Sequence, residues 1–212
     1  MRAPAKKTGR RIAAPTISAR LSGHVTLQAQ ADGSIDATFD GYSLGLGKFS
    51  PDVMGSARAL GTGLALDAFS AQGKPLDKEV DLLVRRLARR GLLEFGLGRA
   101  QDGKDQVVIE PQMPGYWPQA PKLSGSDVVV LSRFAYLRRR GAEMILESPR
   151  AGALFRICDP QVASALARLA TPQSVTRLRR QDDFPGDRLL ALLLDCKILF
   201  RIEADEIGRA NV

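Results

Sequence analysis

Residues 153–202 read ALFRICDPQVASALARLATPQSVTRLRRQDDFPGDRLLALLLDCKILFRI. Leu154 to Ile157 alternates as a short strand. Asp159-Pro160 then supplies a helix N-cap with proline at the first helical position. Val162, Ala165, Leu166 and Leu169 recur at helical spacing. Thr171-Pro172 stops that helix, Gln173 to Arg180 predicts a second, and Pro185-Gly186-Asp187 precedes a third over Leu189 to Leu194. Ile198-Leu199-Phe200 leaves as a strand. Strand, three helices and strand in this order predict a small winged-helix-like unit, a scaffold that reads nucleic acid or holds a peptide.

The first half follows the same plan. His24 to Gln28, Ile35 to Phe39 and Tyr42 to Leu46 alternate as a three-stranded meander, turned at Asp32-Gly33 and at Gly41. Ser50-Pro51-Asp52 opens a helix carrying Val53, Ala57 and Leu60. After the break at Gly73-Lys74-Pro75, Leu76, Val80, Leu83 and Leu87 line one face of a longer helix whose other face carries arginines. Gly91 is a natural C-cap. Leu92 to Phe95 and Val107 to Ile109, joined by a turn at Asp102-Gly103, predict a wing. In the second half, Val128 to Leu131, Phe134 to Leu137 and Met144 to Leu146 read as strands, with a turn at Arg138 to Gly141. Laid side by side, Ser50 to Leu60 matches the helix from Asp159 to Leu169. Leu83-Val84, Leu87 and Leu92-Leu93 match Leu189-Leu190, Leu193 and Ile198-Leu199. The fold class is therefore α+β, as two tandem winged-helix-like units, each a three-stranded meander, three helices and a closing strand. Their expected limits are 21–111 and 127–204. A basic arm over 1–20 precedes them, a Pro/Gly-rich linker over 112–126 joins them, and a polar tail occupies 205–212. Tyr116 and Trp117, set between the linker prolines, suit either docking of the linker or recognition.

Of 212 residues, 44% are apolar and 25% charged, ordinary for a globular chain, but the net charge is +8. Arg2, Lys6, Lys7, Arg10 and Arg11 open the chain, and arginines cluster at 85–90, 138–140 and 177–180. Such a balance suits an acidic peptide, nucleic acid or an anionic surface, or simply solvated helix faces. Nothing resembles a membrane span or a secretory signal, so a cytoplasmic location is expected. Cys158 and Cys196 read as small buried groups. His24 stands alone, which leaves no nucleophile–histidine pairing. Gly45-Leu46-Gly47 and Gly96-Leu97-Gly98 both lack the third glycine of a dinucleotide loop. The acids Asp182, Asp183 and Asp187 suit a helix N-terminus better than a metal. The residues predict a binding module without covalent chemistry.

For a nucleic-acid reader, the third helix of the second unit is wrong, because Arg188 to Leu194 has almost no polar face to place in a groove. A peptide clamp needs an exposed strand edge beside an apolar helix. Leu154, Phe155, Arg156 and Ile157 beside Leu189, Leu190 and Leu193 have that chemistry, with Arg156 placed to hold acidic residues. Equally, both elements suit a domain core.

The runs SRFAYLRRRGAEMILESPRAGALFRICDP and LARLATPQSVTRLRRQDDFPGDRLLALLLDCKILFRI resemble the N-terminal region of SagB-type peptide dehydrogenases. These are flavin enzymes of the nitroreductase superfamily that oxidise azolines to azoles in ribosomally made, modified peptides. The likeness is strongest over Ser132 to Ile202 and weaker over 24–110. It implies winged-helix units that recognise a precursor (leader) peptide ahead of a flavin domain. None of that domain's FMN or catalytic residues has a counterpart here. The expectation is thus no cofactor in this chain, with FMN on a missing or separate catalytic domain. The expected partners are the precursor peptide and the flavin dehydrogenase, with a homodimer as a further option. Three explanations fit: an excised domain, a truncated reading frame, or a free-standing partner of a catalytic subunit. The alternative functions are a winged-helix nucleic-acid binder and a dimerisation module.

Overall fold

A computed structural model describes residues 16–66, 75–98 and 104–202. The first strand, β1 (Ile17–Leu21), is followed by a meander of β2 (Val25–Ala29), β3 (Ser34–Phe39) and β4 (Tyr42–Lys48). Asp40 (φ 48°) and Gly41 (φ 80°) close the β3–β4 hairpin between the paired residues Phe39 and Tyr42. Two consecutive positive φ values are what a tight two-residue hairpin demands, and an acid followed by glycine accepts them. Helix α1 (Val53–Ala59), the short β5 (Leu64–Ala65) and helix α2 (Pro75–Arg89) come next, and then the hairpin β6 (Leu93–Gly98) and β7 (Asp105–Pro111). Gly91, at φ 68°, ends α2 as the left-handed cap expected of it.

The second half begins with β8 (Val128–Leu131). It continues through the meander β9 (Tyr136–Arg140), β10 (Glu143–Glu147) and β11 (Ala153–Ile157), then α3 (Pro160–Arg168), β12 (Gln173–Ser174), α4 (Val175–Leu178), α5 (Asp187–Asp195) and β13 (Leu199–Ile202). Asp159 caps α3 by accepting from the Gln161 amide at 3.0 Å. Ser174 caps α4 in the same way through Arg177, so the helix expected from Gln173 starts only at Val175. Arg138 to Arg140, expected as a turn, belong to β9, because Glu147 and Glu143 on β10 hold Arg138 and Arg140 across the ladder. The turn falls instead at Gly141-Ala142, between the paired Arg140 and Glu143.

The architecture mixes helices with antiparallel sheets, and the two meander-then-helix halves follow each other along the chain. They are not separate bodies at the level of the sheets. A seven-stranded sheet runs β5-β1-β6-β7-β11-β10-β9, and the β7–β11 ladder joins the halves. The remaining strands form two three-stranded sheets, β2-β3-β4 and β12-β8-β13. One face of the large sheet carries a buried apolar row of Ala19, Phe95, Ile109, Phe155 and Leu146, which belongs to a hydrophobic core continuous through both halves. An antiparallel sheet with one apolar and one polar face needs this alternation.

Two expectations change at the ends of the units. Ile17–Leu21 is a strand and not arm, because Ile17 and Ala19 fill the core side of the ladder with β6. Residues 1–15 of the expected arm, the turn at Asp102-Gly103 and the tail over 205–212 lie outside the described residues. The 112–126 segment is docked: Tyr116 is buried, and it and Trp117 set their rings edge-on to Phe95 at 6.0 and 5.8 Å. Cys196 is buried as expected, but Cys158, just past the end of β11, is exposed. Among the described residues no helix is long and apolar enough to cross a membrane.

Candidate peptide-binding groove

The residues expected to clamp a peptide occupy the centre of the fold. Leu154, Phe155, Leu189, Leu190 and Leu193 are buried, while Arg156 and Ile157 are partly so. Strand β11 has no free edge, since β10 pairs along one side and β7 along the other. An incoming strand would find its position taken by Val107 to Pro111. The leucines of α5 have no polar face, and their burial leaves little for a ligand to touch.

The corresponding strand of the first half is open. In the sheet β2-β3-β4, β4 pairs only with β3 among the described residues. Beside it lies α2, whose Leu83, Val84 and Leu87 face the core while Arg85, Arg89 and Arg90 are exposed. This division follows from helical spacing: apolar groups three and four residues apart turn the arginines outward. Between helix and strand runs a groove of about 340 Å³ lined by Gly45, Leu46, Gly47, Arg86, Arg89 and Arg90. Leu46 turns its side chain into the core, and the flanking glycines leave the strand without side chains on its other face. A peptide backbone can therefore approach closely.

Arg86 sets the shape of the groove. Its Nη1 donates to the Leu46 carbonyl, and its guanidinium lies 5.4 Å from the centre of the Phe49 ring. Gly47 is at φ 109°, and a methyl group there would collide with Arg86 Nη1. Arg85 is held by Asp81 at 2.8 Å and stacks on Trp117 at 4.8 Å. Arg89 and Arg90 have no carboxylate partner among the described residues. The groove thus offers main-chain groups of an open strand on one wall and, on the other, positive charge that no carboxylate among the described residues compensates. That pairing suits an extended chain carrying carboxylates.

A second feature lies on the polar face of the large sheet. Arg20 bonds Glu94 at 2.5 Å and Asp105 at 2.6 Å, Arg156 bonds Glu143 at 2.8 Å, and Arg140 bonds Glu110 at 2.8 Å. The hydrogen bond from Arg156, outweighing the cost of burial, holds the Glu143 carboxyl below its ordinary value. Arg156, expected to grip an acidic ligand, already has Glu94, Glu110 and Glu143 around it. It belongs to a ladder of paired charges that crosses the junction of the halves.

Sequence reasoning misses the groove because its parts have separate local readings: Gly45-Leu46-Gly47 looks like an incomplete dinucleotide loop, and the arginines of α2 look like a solvated helix face. The signal lies in the alignment of the two halves, which equates Leu83-Val84 and Leu87 with Leu189-Leu190 and Leu193. That equation also places a clamp between the third strand and the arginine helix of the first half.

The comparisons with known proteins bear on the second half. A family model described as cyanobactin oxidase ThcOx matches residues 129–211, less than half of the chain, from within β8 to near the C-terminus. No curated protein matches.

Proposed function

We propose that this chain is a non-catalytic, precursor-peptide-binding region serving an FMN-dependent azoline dehydrogenase of the SagB type, in the modification of ribosomally made peptides. In this reading each half is a winged-helix-like unit. The first keeps the peptide-binding edge open, and the second has given that edge to β7. A precursor leader would add as a fourth strand beside β4, with acidic side chains reaching Arg89 and Arg90. The flavin chemistry would belong to a separate domain or subunit, and the bound leader would present its azoline-bearing core to it. The family match to a cyanobactin oxidase supports the pathway, and the open β4 edge under the arginines of α2 is the observation that carries the binding role.

The nucleic-acid alternative has less support, because α5 turns leucines and not base-reading side chains outward from its helix axis, and those leucines are buried. The test is anisotropy of labelled candidate precursor peptides drawn from the small reading frames around this gene. Replacing Arg89 and Arg90 by Glu is expected to weaken binding by roughly tenfold or more, the scale of one or two lost charge-assisted contacts. Equal affinity in the variant would overturn the proposal.

A further inference from the structure

The large sheet ends on β9, and nothing among the described residues pairs with its outer edge. The buried row Ala19–Phe95–Ile109–Phe155–Leu146 continues across the sheet to Leu137, which is 43% exposed. The core row therefore stops one strand short of being covered. Phe134 and Tyr136, beside it, are 39% and 47% exposed.

Charge separates two groups of arginines along this edge. Arg138 is paired with Glu147, and Arg140 with Glu110 and Glu143, so these charges are satisfied within the sheet. Arg133, Arg139 and Arg150 have no carboxylate partner among the described residues. Arg133 and Arg150 instead place their guanidiniums 4.8 and 4.9 Å from the centre of the Phe134 ring. Arg139 donates to the Gly141 carbonyl, at 2.5 Å. One end of the edge thus carries two cations around an aromatic ring, the other carries one, and an exposed leucine lies between.

A second copy of the chain is a poor occupant. It would bring a second set of the same cations, Arg133, Arg139 and Arg150, to an edge that already holds them without a carboxylate among the described residues, whereas an acidic segment would neutralise them. Plain guarding of an edge by charge is the bland explanation. It accounts for Arg138 and Arg140, but not for an exposed leucine that completes a core row, nor for cations gathered on Phe134.

We infer that β9 is a docking edge for an extended acidic segment of a partner polypeptide. That segment carries an apolar residue beside Leu137 and carboxylates beside Arg139 and at the Phe134 end. The inference is independent of the β4 groove, which lies on a different sheet.

The probe is a capped heptapeptide, Glu-Glu-Val-Leu-Val-Glu-Glu, whose order is the same in both directions and so suits either strand polarity. Its central Leu beside Leu137 sets a Glu beside Arg139 on the same face. At 22.9 kDa the 15N-labelled chain suits amide-shift mapping. The expected result is a saturable shift of the Tyr136–Arg140 amides. This shift persists when Arg89 and Arg90 are changed to Glu, is lost in the double variant Leu137→Glu with Arg139→Glu, and is absent with a Lys-for-Glu peptide. Both substituted side chains are exposed, and an unchanged spectrum elsewhere reports the fold. Shifts confined to β4 and α2, no shift at β9, or β9 shifts that depend on protein concentration without peptide would each overturn the inference. Loss of the β4 response alone would count against the precursor-groove reading and leave this one standing.

Discussion

Phe155 of the second meander is paired with Ile109 of the first half's hairpin, and both side chains are fully buried. This pairing makes the two halves one sheet and closes the edge that β11 would otherwise present. It also explains why the equivalent strand β4 is the open one: the hairpin of the first half reaches forward to β11, and no strand in the described residues reaches back to β4.

Phe155→Ala removes a ring from the centre of this junction. A loss of about 3–5 kcal/mol is expected, as for other buried phenylalanines. Because the core is continuous, the two halves are expected to unfold together. Urea unfolding followed by Trp117 fluorescence, in the first half's core, and by far-ultraviolet dichroism over the whole chain, should give coincident curves for the parent and the variant. Separate transitions would show that the junction is not cooperative.

Gly47→Ala places a methyl group where Arg86 lies, at a backbone φ that L-residues rarely adopt. The expected cost is about 1–2 kcal/mol. With Arg86 displaced from the Leu46 carbonyl, the groove wall changes shape, so peptide affinity is expected to change in this variant while Gly41→Ala, away from the groove, alters stability only. Thermal unfolding and peptide anisotropy on the two variants read these effects separately.

The hydroxyl of Tyr116 and the thiol of Cys196 lie 3.2 Å apart in the core. Burial pushes the Cys196 thiol up from 9.0 to about 11 and raises Tyr116 above its ordinary value as well. Both groups are held neutral in the folded chain, so the unfolded chain gives up its protons first. Stability is then fully present below pH 9.0 and is lost as pH rises towards 11. The cysteine contribution is on the order of 2–3 kcal/mol across that window. Urea unfolding at about pH 8 and about pH 10.5 should show this decline, with a smaller slope in Cys196→Ala. The same slope in both proteins would remove Cys196 as its source.

Much of the chain was legible from local chemistry. The caps at Asp159 and Gly91, the turn at Gly41, the helical face of Val80, Leu83 and Leu87 and the docking of Tyr116 and Trp117 all depend on a few neighbouring residues. What was not legible depends on pairing at long range. The sequence of Leu154 to Ile157 reads as an alternating strand whether it is an edge or a central strand, and only the arrival of Val107 to Pro111 decides. Arg138 to Arg140 read as a turn until the carboxylates of Glu143 and Glu147 are placed opposite them. The short strand at Ile17 was hidden by the basic run that precedes it.

The open edge of β4, and not β11, which is paired on both sides, is expected to receive an extended peptide. Hydrogen–deuterium exchange of the full chain, with and without a candidate precursor peptide from a neighbouring small reading frame, tests this most directly. A strand added to β4 should slow exchange of outward-facing amides within Tyr42–Lys48 and leave Ala153–Ile157, already bonded on both sides, unchanged. Saturating peptide that leaves Tyr42–Lys48 exchanging as fast as before would contradict it.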